Sequence, residues 1–260
     1  MTFPFLATGD VSTAFLILLR VSAMLMFLPI LGHQLVPSQV KIGLIGLISM
    51  LLFPIVHSTV PEIPSSPVAF SLIAGQEILI GAMLALLAQL IFAAVQLAGQ
   101  IMSYQMGMAI ANVFNPLTST QIAVVGQFAV ILSMLMWLAT GGHHAFLMAI
   151  ADSFTILPIG HAWSFTGWQA LNDAAANMFI LGLRLAAPVL LLLFFTYVAL
   201  GLLSRAVPQI QIFFVSFPLT IGLGLLVFAL SMPVFLALMN DGFKGLFLRI
   251  PQFLHILAGA

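Results

Sequence analysis

One long uncharged tract limits the possible folds of this chain more than any other feature. From Ile78 to Ala151 the chain runs 74 residues without Asp, Glu, Lys or Arg. A membrane helix needs only ~20 apolar residues, so the tract holds more than one helix, and Asn115-Pro116 interrupts it. The connection at 112–121 is itself uncharged, whereas loops that meet water or headgroups usually carry charge. Irregular backbone at membrane depth is tolerated where protein buries it or where it lines a cavity. The sequence therefore predicts that this connection is an internal, working part.

The composition indicates an integral membrane protein. Of 260 residues, 63% are apolar and 5% are charged, and the mean hydropathy is +1.25. An ordinary soluble domain has about 25% charged residues. Six basic residues balance six acidic ones and form no basic run, which argues against nucleic-acid binding. The absence of cysteine excludes disulfides and thiolate metal sites.

The apolar runs predict an all-α, polytopic membrane protein with about six hydrophobic elements. Proline and glycine clusters separate these runs, which fall at about 11–31, 42–57, 68–98, 122–139, 178–203 and 212–239. With no linker in view, we expect a single membrane-embedded domain over residues 1–260. The third run reads as helical over 71–111, and Pro218 and Pro233 should kink the last one. These uneven lengths favour long, kinked hairpins over six upright helices.

Three ionisable residues lie within apolar runs: Arg20, Glu77 and Arg184. Such groups are costly at membrane depth and usually face a partner or a cavity. They are interpreted either as structural ion pairs or subunit-interface contacts, which we favour, or as parts of a transport site. Arg205 lies at a loop, where a charge needs no special explanation.

Small side chains recur every four residues on the long third element, at Gly99, Ser103, Gly107 and Ala111. Such rows allow helix backbones to approach closely in membranes. Beside the row lie flexible methionines and uncharged amides: Met102, Met106, Met108, Gln96, Gln100 and Gln105. Two interpretations remain open, namely ordinary helix packing and a gate that precedes the uncharged connection.

Catalytic and metal-binding motifs are missing from the sequence. His143-His144 and Asp152 lack the spacing of a zinc site, and a helix that starts after Gly141-Gly142 explains them better. No nucleophile elbow, Walker loop or dinucleotide fingerprint occurs. We therefore expect no enzyme activity and no cofactor.

Four segments of this sequence resemble the FliR/SctT family, the R subunits of type III protein export gates. The segments contain Leu19-Arg20-Val21 with Pro29, Val36-Pro37 and Lys41; GQIMSYQMGMAIA at 99–111 with Asn115-Pro116; Gly142-His143 with Asp152-Ser153-Phe154 and Leu157-Pro158; and ALGLLSRAVPQIQIFFVSFPLT at 199–220. In the last segment Arg205, Pro208-Gln209 and Phe217-Pro218-Leu219 keep the family pattern. The order and spacing of these four segments match the family pattern over nearly the whole chain.

The resemblance implies a core component of the flagellar export gate, in preference to an injectisome. Such R subunits look like a fusion of P-like and Q-like units. They assemble with the P and Q subunits FliP and FliQ and contact FlhB and FlhA. Unfolded flagellar subunits would cross the bacterial inner membrane through the central channel, within the flagellar basal body.

By the same resemblance, the family's plug loop corresponds to residues 106–121. Met102, Met106 and Met108 with Phe114, Asn115 and Pro116 would then seal the closed channel. The small-residue row would pack against P subunits. Where the family often has acidic residues, this chain has Gln100 and Asn115, so any role of those carboxylates is not carried over.

A different class of function would use the same polar residues. In a small secondary transporter, Arg20, Glu77 and Arg184 would line a site at the membrane midplane. Inverted repeats should then appear as paired broken segments, but the two halves of the sequence do not match in their proline and glycine positions.

Overall fold

The computed structural model describes residues 8–28, 32, 36–57, 66–108, 124–161, 167–206 and 212–259. Over these residues the chain forms eight α-helices and no strand. They are α1 (Thr8–Met26), α2 (Ser38–Val56), α3 (Pro67–Gln105), α4 (Val124–Ala139), α5 (Gly142–Ile156), α6 (Gly167–Ala206), α7 (Ile212–Leu230) and α8 (Met232–Ala258). The predicted all-α class is confirmed.

Three of these helices, α2, α3 and α6, are long and apolar enough to cross a membrane. The number rises to five if each of two bent helix pairs, α4 with α5 and α7 with α8, forms one span. The chain is thus a polytopic integral membrane protein. With 39 and 40 residues, α3 and α6 are twice as long as one crossing requires.

Local sequence explains where several helices begin and end. Pro67 occupies the first position of α3, where its missing N–H costs nothing. Gly141 precedes α5 in the left-handed conformation, with φ of 72°. Between α7 and α8 the chain bends by 57° at Ser231, two residues before Pro233, where the sequence predicted a kink.

The described part of the chain has eight helices where the sequence predicted about six elements. One addition is α5, whose 15 residues are too few for a span and whose apolar run is correspondingly short. The other is α8, because the last run divides at Ser231 and continues to Ala258. The prediction that α3 continues to residue 111 was wrong, since the helix ends at Gln105.

Contacts divide the chain into two compact units that interleave in sequence. Unit 1 contains Met1–Leu90, Gly141–Ala175 and Lys244–Ala260, and unit 2 contains Ile91–Thr140 and Ala176–Phe243. The helices α3, α6 and α8 contribute residues to both units. A single domain over residues 1–260 remains a prediction.

Each unit has its own apolar core. In unit 1, α1 packs against α2, and the buried side chains include Leu16, Ile17, Ile80, Phe146 and Ile150. In unit 2, three aromatic rings from α3, α4 and α8 form a buried cluster. The ring centroids of Phe92, Trp137 and Phe243 lie 5.0 to 5.8 Å apart.

Candidate functional site

The C-terminal end of α3, in unit 2, directly precedes the uncharged connection. Helix α3 ends at Gln105, and Gly107 adopts the left-handed conformation with φ of 80°. The N–H of Gly107 donates to the carbonyl of Tyr104 at 3.0 Å, and that of Met108 donates to Ser103 at 3.1 Å. This pair of hydrogen bonds is a Schellman motif, the common glycine-dependent helix ending.

Two hydroxyl groups complete the hydrogen bonding of this helix end. The last four carbonyls of a helix have no partner within it. Beyond the two that the Schellman motif uses, the carbonyl of Gln105 accepts from the Tyr197 hydroxyl at 2.5 Å. The carbonyl of Met106 accepts from the Thr220 hydroxyl at 3.1 Å. Every carbonyl from residue 103 to residue 106 therefore has a donor.

Close packing holds the same helix end against α7. A Cβ atom at Gly107 would lie 2.9 Å from two ring carbons of Phe217. The side chain of Met106 lies over Gly224, where a Cβ would come within 2.6 Å of Met106 Cγ. We call residues 102–108, with these contacts, the α3 anchor.

The predicted seal residues have different environments. Met102 and Met106 are fully buried inside unit 2, and Met108 is half-buried. Gln96, Gln100 and Gln105 are exposed. The predicted plug residues Phe114, Asn115 and Pro116 lie outside the described residues.

Among the described residues, the predicted small-residue row makes packing contacts within this chain. Gly99 contacts Gly126 of α4 so closely that a Cβ on Gly99 would overlap the Gly126 backbone. Ser103 is buried. Gly107 no longer belongs to a helical row because α3 has ended, and Ala111 lies outside the described residues.

A second polar centre lies in unit 1. Arg20 on α1 and Glu77 on α3 are both fully buried, and Arg20 Nε donates to Glu77 Oε2 at 2.5 Å. Arg20 Nη1 also donates to the carbonyls of Ser153 and Leu157, at 2.8 and 2.9 Å. The guanidinium carbon lies 4.3 Å from the ring centroid of Phe154. One arginine thus joins α1, α3 and the C-terminal end of α5.

The other two arginines predicted as buried or interface groups have a different environment. Arg184 and Arg205 on α6 are both exposed in this chain. A subunit-interface role of Arg184 and Arg205 stays a prediction.

Within the described ranges, no three His, Cys, Asp or Glu side chains come together in a way that could hold a metal ion. The side chains at the two centres form hydrogen bonds and packing contacts. The α3 anchor can hold a chain segment in place, and the Arg20 centre can hold three helices together.

Sequence reasoning missed the residues that hold the α3 anchor. Tyr197, Phe217 and Thr220 fall within or beside the fourth matched segment, but no role followed from their spacing. Gly107 carried a usable signal, since a glycine just after a helical run is typical of a C-terminal cap.

Comparison with known proteins matches nearly the whole chain to one family. The model of the family "Bacterial export proteins, family 1" matches residues 11–246. The flagellar biosynthetic protein FliR of Pectobacterium carotovorum is 37% identical over 230 residues, which cover 86% of this chain and 85% of that protein. The proteins of the same name from Escherichia coli K12 and Bacillus subtilis 168 are 35% and 33% identical. Those matches cover 88% and 90% of this chain, and 88% and 92% of the respective relatives.

Proposed function

Because this chain belongs to the family of bacterial export proteins, family 1, and is a component of the flagellar export apparatus, we propose that it lines and plugs the channel of the export gate. The proposed plug is the uncharged segment that follows the α3 anchor, residues 109–121, together with Met108. Met102 and Met106 hold the base of this plug, since both are fully buried inside unit 2. FliP and FliQ would surround the channel with it, and FlhB and FlhA would be further partners.

The observation that supports the plug best is the firm attachment of both its ends. At the N-terminal side, the carbonyls of residues 103–106 are all hydrogen-bonded. At the C-terminal side, α4 begins at Val124 and contacts α3 through Gly126 and Gly99. An uncharged segment between two fixed helix ends would close around chains of varied sequence without reading that sequence.

The proposal implies a membrane location and a structural role. The exposed apolar helices would lie in the bacterial inner membrane or against other subunits within the flagellar basal body. The role is structural: the chain supplies a wall and a seal, and it has no catalytic step. The alternative of a small transporter is not favoured, because Arg20 and Glu77 are buried and paired with each other.

Shortening the plug tests the proposal. We expect that deletion of residues 113–119 lets ions and small molecules leak across the membrane of cells that assemble the whole apparatus. Membrane conductance and dye uptake are measured after co-purification has shown that the complex is intact.

A variant with residues 112–120 in scrambled order is the matched control. It keeps the length and the uncharged composition, and we expect it to seal, because the proposed closure reads no sequence. Unchanged conductance of the shortened variant within an intact complex contradicts the plug.

A further inference from the structure

The part of α3 that belongs to unit 2 exposes only polar, uncharged side chains. Within residues 91–105 the exposed side chains are Gln96, Gln100, Tyr104 and Gln105. The apolar side chains of the same stretch are buried or half-buried. This is the reverse of what lipid favours, although α3 is long and apolar enough to cross a membrane.

Three of these side chains lie on one face of the helix. Gln96, Gln100 and Tyr104 recur every four residues. Each is therefore displaced from the previous one by about 40° around the helix and about 6 Å along its axis. Gln105 lies elsewhere, because it is about 140° from Gln100 around the axis.

A fourth exposed amide lies near this face, on α4. Gln127 is exposed and follows Gly126, just as Gln100 is exposed and follows Gly99. The backbones of Gly99 and Gly126 are in direct contact. Gln100 and Gln127 are thus each one residue away from the same contact between the two helices. We call Gln96, Gln100, Tyr104 and Gln127 the polar face.

Neither lipid nor a closely packed helix is a good neighbour for the polar face. All four side chains lie within the uncharged tract 78–151, and exposed amides are strongly disfavoured in hydrocarbon. Membrane helices pack closely through small residues. The small residues beside the polar face, Gly99 and Ser103, are already buried within this chain. The polar face is therefore better suited to an aqueous path.

An extended polypeptide matches the polar face in chemistry and in spacing. Each amide offers donors and an acceptor, and every residue of an unfolded chain other than proline carries a backbone N–H and a C=O. Groups on one side of an extended chain recur every two residues, or about every 6.5 Å. This repeat is close to the spacing of about 6 Å along α3. Because the polar face has no charge, it has no preference for charged side chains.

We propose that the polar face lines the channel and forms hydrogen bonds with the backbone of an unfolded polypeptide in transit. The bonds are made to groups that nearly all residues share, so chains of varied sequence are bound alike. Neutral hydrogen bonds exchange with those to water at little net cost, so they can break and form again as the chain advances. This inference rests on the proposed function, of which it uses the channel lining and not the plug.

Crosslinking to a halted substrate tests the polar face. An export substrate fused to a domain that stays folded halts inside the assembled apparatus. A photo-crosslinking phenylalanine derivative replaces Tyr104, which is 57% exposed, and we expect it to crosslink to the substrate. Leu135 of α4 is the matched control position, since it is 58% exposed but apolar, and we expect it to crosslink to lipid or another subunit. Substrate crosslinks of equal strength from both positions would overturn the proposal.

Removal of one amide tests whether the face binds the backbone. Gln100→Leu deletes an exposed amide one turn away from position 104, with little change of volume. A neutral hydrogen bond corresponds to roughly a fivefold change in occupancy, so the yield of the crosslink from position 104 should fall by about that factor. Gln105→Leu is the control, because it deletes an exposed amide of the same helix outside the polar face. Equal yields in the two variants would overturn the binding role.

A scan of further positions separates this inference from the proposed function. After co-purification has shown that each variant assembles, the derivative is placed at 96 and 100 and at exposed positions of α4, α6 and α7. Substrate crosslinks from other helices, with none from 96, 100 and 104, overturn the polar face and leave the channel lining standing. The absence of substrate crosslinks from every position refutes the channel lining itself.

Discussion

Arg20 and Glu77 are charged side chains that are both fully buried, so each loses its hydration when the chain folds. The ion pair and two backbone carbonyls offset the loss of hydration. Both carbonyls lie at the C-terminal end of α5, where the helix dipole favours a cation. The ring of Phe154 adds a cation–π contact. This environment fixes Arg20 far better than lipid would.

Neutralising one member of this pair should therefore be more harmful than removing both. We expect Glu77→Gln to destabilise the protein by about 3–5 kcal/mol, because it leaves the Arg20 charge buried without a counter-charge. The double variant Arg20→Met/Glu77→Leu should recover most of this loss. Thermal unfolding of the detergent-purified complex measures both effects.

The exposed carboxylate Asp152 provides the control for this prediction. It precedes Ser153 on α5, and Asp152→Asn should change stability by no more than about 0.5 kcal/mol. A double variant that is less stable than Glu77→Gln would contradict the account of the pair.

The sequence could locate these charges but could not choose their partners. Arg20, Glu77 and Arg184 were noticed because charges within apolar runs are rare. Yet Arg20 is buried and Arg184 is exposed. A run of apolar residues indicates the length of a helix. Whether a given side chain on that helix is buried or exposed depends on which other helices pack against it. That information is non-local.

At the scale of the elements, glycine contacts bring three helices close to α3 in unit 2. Gly126 of α4 contacts Gly99, and Gly224 of α7 lies beneath Met106. At Gly182 of α6, a Cβ would lie 3.0 Å from the carbonyl of Ala94. Membrane helices gain little from hydrophobic burial against each other, so close backbone approach supplies much of their packing energy.

A methyl group at the tightest of these contacts should separate α3 from α4. We expect Gly99→Ala to destabilise the protein by about 1–3 kcal/mol, because the added Cβ overlaps the Gly126 backbone. Gly222→Ala is the matched control, since no atom lies within 4 Å of its Cβ position on α7. A helix gains about 0.5–1 kcal/mol from such a change in an open position. Equal melting temperatures of the two purified variants would contradict the contact.

The row of small residues shows what the periodicity of a helix can and cannot predict. Gly99 of this row lies against the Gly126 backbone within the chain, while packing of the row against P subunits stays a prediction. Gly107 lies beyond the end of α3, because a four-residue spacing does not distinguish a glycine that packs from a glycine that ends the helix. The decision depends on Phe217 and Thr220, more than 100 residues further along the chain.

At the scale of the whole molecule, large apolar surfaces remain uncovered. Only 17% of the most apolar stretch of α2 and 28% of that of α6 are buried. On α6 the exposed side chains include Phe194, Phe195 and Leu202, each more than 60% exposed. Such surfaces require lipid or other subunits.

Composition was enough to predict the class of molecule, but not its internal division. An all-α membrane protein follows from 63% apolar residues and long uncharged runs. The two units could not be predicted, because α3 and α6 each pass through both without a break in composition. The role in export came from the motifs, and the match over residues 11–246 supports it.

The uncovered surfaces also predict how the protein behaves during purification. A gate subunit should need its neighbours, because lipid or detergent would replace subunit contacts poorly around exposed polar groups such as Arg184. We expect the tagged chain to co-purify with FliP and FliQ when they are produced together, and to aggregate or melt at a lower temperature when it is produced alone. A small transporter would instead be monodisperse and equally stable by itself. Size-exclusion chromatography and thermal unfolding of the two preparations distinguish these outcomes, and a stable, monodisperse chain without partners would contradict the gate.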